Sequence, residues 1–478
     1  MKTTLIKNGY VISMDEQVGV QESCDILIED DVIKKIASAI QESADEVIDA
    51  NGCYVLPGFI DTHRHTWQTQ LKTVACDWTL FNYLTYMRMA YASFYGVEDA
   101  YLGNYAGAVE SLNAGITTIV DHCHLINSPE FADRLIDGLE DSGTRAVFAY
   151  GYYVNPTYHP YHLDMTPGWR YEDSKRIRNE RLHDDNGRIL FGVNPSEYEQ
   201  APIEVIRQEL ALCKDLGAHV ISAHVGMGNY DAGVKAIKKL GAEGLLTKEM
   251  LFIHGAALTD EELDLIKDAD AGMSSTPEVD MQMGMGYPMG LRGKKYGVKE
   301  SLGVDIVSNY SAEMFTPMRT LLACQSALDN DMVAKQLHKV PGKVYYNAKD
   351  VLYLATLGGA EAIHMEDKIG SLKEGKKADI TLIRHDNLHV PGYGDPYAAV
   401  VFYANTGDVD TVLVDGRIIK KNGVMQGIDP IQINTKLKES FIRIHEGFNT
   451  VDHVQNEQFW RNLFNGFIYT DDIEGSAR

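Results

Sequence analysis

Residues 57–65 read Pro-Gly-Phe-Ile-Asp-Thr-His-Arg-His, and this run constrains the chain more than any other. The segment leading into it, Cys53-Tyr54-Val55-Leu56-Pro57-Gly58-Phe59-Ile60, is apolar enough for a buried strand. Side chains in a strand alternate faces, so His63 and His65, where that strand should end, point the same way. Two imidazoles on one face make a ready pair of metal ligands. Two surface histidines on a loop share the spacing, so the pair gains meaning from its context and from further ligands.

Three residues downstream are suited to supply them. His224 lies in the β-branched run His219-Val220-Ile221-Ser222-Ala223-His224-Val225, and His254 closes Leu251-Phe252-Ile253-His254. Asp305 lies in Leu302-Gly303-Val304-Asp305-Ile306-Val307-Ser308. Around them, residues 57–369 alternate strand-like and helix-like patterns, the sign of a parallel sheet covered by helices. Strand-like runs fall at 115–121, 145–150, 188–193 and 271–275. Helical patterns cover Pro202–Leu216 and Asp260–Lys267, the latter opened by a capping box of Thr259 and Glu262. In a (β/α)₈ barrel the C-terminal strand ends converge on one mouth, so residues far apart in sequence can share one ion.

The run at 57–65 resembles the first-strand signature of the amidohydrolase superfamily, metal-dependent hydrolases built on such a barrel. Gly370-Ser371-Leu372-Lys373-Glu374-Gly375-Lys376-Lys377-Ala378-Asp379 resembles the family's late Gly-Ser-Leu-x-x-Gly-Lys-x-Ala-Asp segment. The resemblance implies an α/β fold: a (β/α)₈ TIM barrel over 57–369, with a small β-sandwich from residues 1–56 and 370–430. Residues 431–478 then form a helical, aromatic-bearing tail (Phe459, Trp460, Phe464, Phe467, Tyr469) that docks on the body or on a partner subunit. The Asn8-Gly9 dipeptide reads as a turn between N-terminal strands.

Carried over residue by residue, the resemblance makes His63, His65, His224 and Asp305 the ligands of one divalent ion, zinc first, iron or manganese next. His254 then holds water or polarises the substrate, and Asp305 shuttles the water's proton to the leaving group. A two-metal site needs a bridging carboxylate, often a carboxylated lysine on strand four. That strand here runs into Val193-Asn194-Pro195-Ser196-Glu197 without a lysine, and Glu197 follows it by several residues. One metal is therefore expected.

One departure bears on the reaction. Ring deaminases of the superfamily carry a glutamate three residues beyond the strand-five histidine, where this chain has Met227. Glu278, just past strand seven, is the first substitute acid and Glu197 the second; for Glu278 a solvated loop carboxylate or a helix cap is the plainer reading. His122 and His124 follow strand two and suit orientation of ligands or substrate contact; Trp67 and Gln68 suit a pocket wall and a substrate donor. Met281, Met283 and Met285 alternate at strand spacing, as core packing or a pocket wall would. The leading expectation is hydrolysis of an amide, urea, carbamate or lactam C–N bond in a small molecule. Deamination or dehalogenation of a nitrogen heterocycle is the alternative, and a catalytically retired binding scaffold the reading from another class.

Composition narrows the partners. A net charge of −24 over 478 residues opposes nucleic acid and anionic membrane surfaces, both of which need basic patches. Six cysteines without a C-x-x-C pair fit reduced thiols, and no apolar run is long enough for a leader or a membrane span. The expected setting is the cytoplasm, with a small-molecule substrate and a homo-oligomeric assembly. The Tyr-, Pro- and His-rich stretch 152–187 suits a lid or a subunit contact.

Overall fold

The computed structural model describes residues 2–158, 161–163, 166, 168–231 and 233–463. Five strands come first: β1 (Thr3–Ile12), β2 (Val20–Glu29), β3 (Val32–Ala37), β4 (Glu46–Asp49) and β5 (Cys53–Pro57). Eight follow: β6 (Phe59–Arg64), β7 (Ile116–Cys123), β8 (Arg145–Gly151), β9 (Ile189–Asn194), β10 (Ile221–Val225), β11 (Met250–His254), β12 (Gly272–Ser275) and β13 (Lys299–Leu302). The last four are β14 (Ile380–Arg384), β15 (Val409–Val414), β16 (Arg417–Lys421) and β17 (Val424–Met425).

Strands β6 to β13 pair in chain order, all parallel. The ring closes where Asp305 N–H donates to His63 O and His65 N–H to Asp305 O, both at 2.8 Å. At one end, Ile60, Val120, Val147, Leu190, Val220, Leu251 and Ile253 pack with Ala360, Ile363 and Met365 into an apolar plug. The other end, where the strands finish, is left for chemistry. The remaining nine strands form one sheet in which β5 pairs antiparallel with β14, so both ends of the chain build it together.

Four local readings need correction. Cys53–Ile60 is two strands, one in each sheet, divided at Gly58. A Cβ there would lie 2.1 Å from Thr117 Oγ1, so only glycine lets the chain cross between sheets this close to β7. Asn8-Gly9 is not a turn but a bulge inside β1: Asn8 takes φ 62°, and the pairing with β2 slips between Ile6 and Gly9. Asp305 lies three residues past the end of β13 rather than in a strand, and bridges to Arg64. The methionines at 281, 283 and 285 fall on and just after the helix Pro277–Gln282, which Pro277 starts. Met283 and Met285 are buried and Met281 is exposed. The helices Ile203–Asp215 and Asp260–Asp268 form as the patterns require, the second with its Thr259/Glu262 capping box.

The tail packs on its own chain. In the helices Pro430–Phe448 and His453–Leu463, Phe448 stacks on Tyr91 at 4.0 Å and Asn456 Nδ2 donates to Tyr158 OH at 2.9 Å. Phe464, Phe467 and Tyr469 lie outside the described residues, as do His159, Pro160, Asp164, Met165 and Pro167 of the 152–187 stretch. The rest of that stretch carries a helix, Arg170–Glu180. Among the described residues, no helix is long and apolar enough to cross a membrane.

Candidate active site

The barrel seam sets the geometry. Its register places Arg64 opposite Asp305, so His63 and His65, one residue to either side, flank the carboxylate. Asp305 Oδ1 lies 3.3 Å from Nε2 of both histidines. His224 is the last residue but one of β10 and His254 ends β11; their rings lie 5.2 and 5.7 Å from that of His63. All five side chains are buried. The structure thus brings together the five residues expected to do the chemistry.

Hydrogen bonds decide which nitrogen each imidazole presents. His65 Nδ1 donates to His122 O at 2.7 Å, and His224 Nδ1 donates to Glu197 Oε1 at 2.9 Å. Only Nε2 is left free on each, the arrangement that outer-layer partners impose on metal-binding histidines. His63 is more telling: neither of its ring nitrogens has a hydrogen-bond partner, although the residue is fully buried. A buried polar group without a partner is costly, and a cation beside Asp305 would satisfy it. Burial, reinforced by neighbouring imidazoles, holds His63 and His65 well below the ordinary histidine range. They are therefore neutral, the form that binds metal. Donor set and protonation both fit a divalent transition metal.

The remaining expected residues fall in different places. His122, the last residue but one of β7, has both nitrogens engaged: Ser222 Oγ at 2.9 Å from Nδ1 and Tyr153 OH at 3.2 Å from Nε2. Tyr153 OH in turn donates to Glu197 Oε1 at 2.9 Å. Ser222, His122, Tyr153, Glu197 and His224 thus form one line that orients a single imidazole. Glu197 stands behind His224, with Oε1 committed to His224 and Tyr153 and Oε2 buried without a partner. Burial would push its carboxyl up, but His224 and Tyr153 more than offset this and hold it below its usual range. The His124 ring lies 3.9 Å from that of His65, and its Nδ1 is buried without a partner. His65, His124 and His224 could also group about an ion.

Trp67 and Gln68 are held inside the protein. Trp67 is fully buried with its ring 5.1 Å from Tyr95. Gln68 donates through Nε2 to Tyr83 OH at 2.7 Å and accepts from Ser308 Oγ at 3.1 Å, so both its ends are spent inside the protein. Glu278 occupies the first turn of the helix after β12, partly buried. Burial first, and Glu313 second, push its carboxyl up to about 8.

Two features escaped the sequence. Asp280 is fully buried, and its Oδ1 accepts from His254 Nδ1 at 2.9 Å and from Thr276 Oγ1 at 3.0 Å. Burial alone would depress His254, but the Asp280 bond reverses the sign and raises it. Backbone strain marks the same place: His254 has φ 73° and Asp305 φ 65°. Non-glycine residues there cost roughly 1–3 kcal/mol and persist where the surroundings over-determine them. No local pattern announces either feature.

A closed parallel barrel with strained histidine and aspartate at its mouth, and neutral imidazoles presenting free Nε2 atoms, is the frame of a metal-dependent hydrolase. The chain belongs to the amidohydrolase family, whose model matches residues 54–419. It is a hydrolase of a carbon–nitrogen bond in a small molecule and carries a metal cofactor. Among its relatives is the 5-methylthioadenosine/S-adenosylhomocysteine deaminase of Thermoanaerobacter pseudethanolicus, 27% identical over 447 residues (89% of this chain, 95% of the relative). The 5'-deoxyadenosine deaminase of Methanosarcina mazei is 27% identical over 434 residues, 88% of this chain and 94% of the relative. In fold the chain is similar to a zinc-bound adenosine deaminase from Xanthomonas campestris (TM-score 0.80, 20% identity, 93% and 98% of the two chains). It is similar also to a zinc-bound atrazine chlorohydrolase from Arthrobacter aurescens (TM-score 0.79, 20% identity, 92% and 100%).

The outer line makes a prediction of its own. Glu197→Gln leaves His224 in place but weakens the charge that fixes its tautomer. Zinc affinity, measured by competition with a chelating dye, is expected to fall roughly 10–100-fold. Unchanged affinity would reduce Glu197 to packing.

Proposed function

We propose that His63, His65, His224 and Asp305 hold a single divalent ion, zinc first, and that the chain deaminates a nitrogen heterocycle of the purine type by hydrolysis. The observation that carries the site is the buried His63, whose ring nitrogens lack partners beside Asp305. The heterocycle is supported by the relatives, named for deamination of adenosine derivatives.

When bound, the ion supplies the Lewis acidity that makes water nucleophilic near neutral pH. The chain's own residues do the rest. Asp305 accepts the water's proton and delivers it to the departing nitrogen. His254, kept basic by Asp280, faces the charge that develops on the substrate as water adds. Glu197 and the His122 carbonyl keep His224 and His65 oriented. A second reading, hydrolysis of an amide or urea, is favoured by one observation: Met227 carries no proton for a ring nitrogen, and an amide needs only Asp305. Free cysteines support a reducing, cytoplasmic setting, and the exposed apolar side chains Leu337, Val340, Val344 and Tyr345 support a homo-oligomer.

The test pairs elemental analysis with ammonia release from 5'-substituted adenosines and from simple amides. About one transition metal per chain is expected, with ammonia from the nucleosides. Two ions per chain, or none after reconstitution with zinc, overturns the single-metal assignment; turnover of amides alone moves the reaction to the second reading.

A further inference from the structure

Arg88 is a buried cation without a counter-ion. It ends the helical turn Tyr83–Arg88. Among the described residues its one hydrogen bond runs from Nη2 to Asn155 Oδ1, at 3.2 Å. Nε is buried without a partner, and no carboxylate of those residues forms an ion pair with the side chain. Burial presses the guanidinium down from its ordinary value, yet arginine stays charged inside proteins. A buried charge left unpaired is strongly destabilising, so its presence asks for a use.

The surroundings set this charge beside the metal-binding histidines. The guanidinium carbon lies over the Tyr153 ring, 4.9 Å from its centre. His124 meets the same ring edge-on at 4.8 Å, and its own ring lies 3.9 Å from that of His65. Asn155 ties the group together: while Oδ1 accepts from Arg88, Nδ2 donates to His124 O at 2.9 Å. His124 Nδ1 is buried and unpartnered as well. Tyr153 and His124 lie just past the ends of β8 and β7, on the face of the barrel that carries the metal ligands. Asn155 also lines a cavity of about 230 Å³ with Thr157, His162 and Trp169, so open space adjoins the group. Glu197, whose charge reaches Arg88, turns Oε1 to His224 and Tyr153 instead.

We propose that Arg88, Asn155 and His124 form an anion subsite beside the metal, and that the substrate carries a carboxylate which pairs with Arg88. The planar fork of a guanidinium matches the two oxygens of a carboxylate, and Nε is a donor still free. One guanidinium balances one negative charge, and Glu197 opposes a second, so a carboxylate fits better than a phosphate dianion. The inference rests on the proposed deamination for the ring that bears the carboxylate; the subsite itself is tested without turnover.

Benzoate, its neutral analogue benzamide and inorganic phosphate are the probes, titrated calorimetrically into the zinc-loaded enzyme. Benzoate is expected to bind and benzamide to give no signal. Arg88→Met should weaken benzoate about 10–100-fold, the span of one hydrogen bond to a charged group. Benzoate held equally well by that variant sits on the metal alone and overturns the proposal; phosphate bound more tightly than benzoate overturns the carboxylate assignment. Asn155→Asp sets a carboxylate of the chain's own beside Nη2, and is expected to exclude benzoate while the guanidinium remains. Melting separates use from packing. Arg88→Met is expected to hold or raise Tm, since it removes a buried charge that has no partner. A lowered Tm with benzoate binding intact would assign Arg88 to packing on Tyr153. In turnover, adenosine-5'-carboxylate and adenosine share the ring and differ in the carboxylate. Arg88→Met is expected to raise KM for the first about tenfold more than for the second, with the ratio of their kcat values held. Equal changes in both refute the subsite. Turnover of neither, with benzoate binding still dependent on Arg88, retires the purine reading and keeps the subsite.

Discussion

Asp305→Asn is expected to lower kcat at least about a hundredfold while leaving the fold intact. The backbone at residue 305 has φ 65°, and asparagine tolerates that conformation as well as aspartate does. The seam bonds are made by main-chain atoms, Asp305 N to His63 O and His65 N to Asp305 O, so the barrel stays closed. What the amide removes is a negative oxygen 3.3 Å from both histidines, which can neither take a proton from water nor return it. Thermal melting near the wild-type value, with turnover lost, separates this from a folding defect. His254→Asn should lower kcat yet leave much of the metal bound, since His254 stands outside the proposed ligand set. Loss of metal on that change, with retention on His224→Asn, would exchange their roles.

The parts of this site that read directly from sequence are those governed by local periodicity. His63 and His65 are two apart, and a strand has a period of two. His224 and His254 lie at or near the ends of β-branched or apolar runs that become strands β10 and β11. The layer behind them was not legible, because its partners meet only through tertiary packing. Glu197 stands beside His224 across 27 positions of sequence, and Asp280 beside His254 across 26. Gln68 read as a substrate donor because its composition and position suited one; only the fold shows both ends consumed by Tyr83 and Ser308. Local signals also misled where a second sheet intervened. Asn8-Gly9 favours positive φ, and the chain uses that for a bulge because β1 must continue past it to pair with β5. Methionine alternation at 281–285 competed with a proline at the start of a helix, and the helix won.

The substitution that best separates the two reactions is Glu278→Gln. Deaminating a ring requires a proton for the nitrogen next to the attacked carbon, and Met227 has none to give. Glu278 is suited to the task. It opens the helix after β12, and its charge is felt by Tyr310 in the loop that follows Asp305. Burial and the facing Glu313 push it up to about 8, so at pH 7 it is mostly the neutral acid. A group with a raised value donates below that value and ceases to as the pH climbs through it. Wild-type kcat should therefore fall above about pH 8, and Glu278→Gln should lose that limb along with the roughly 10²–10⁴-fold typical of a missing general acid. Glu199→Gln is the comparison that gives the number meaning. That carboxyl is also pushed up to about 8, by burial and by Glu197, but it accepts Gly226 N–H at 3.0 Å beside Met227. A larger loss there than at Glu278 transfers the proton to Glu199. Near-wild-type activity in both variants, with an amide as the better substrate, leaves Asp305 as the sole proton carrier and sinks the deaminase reading.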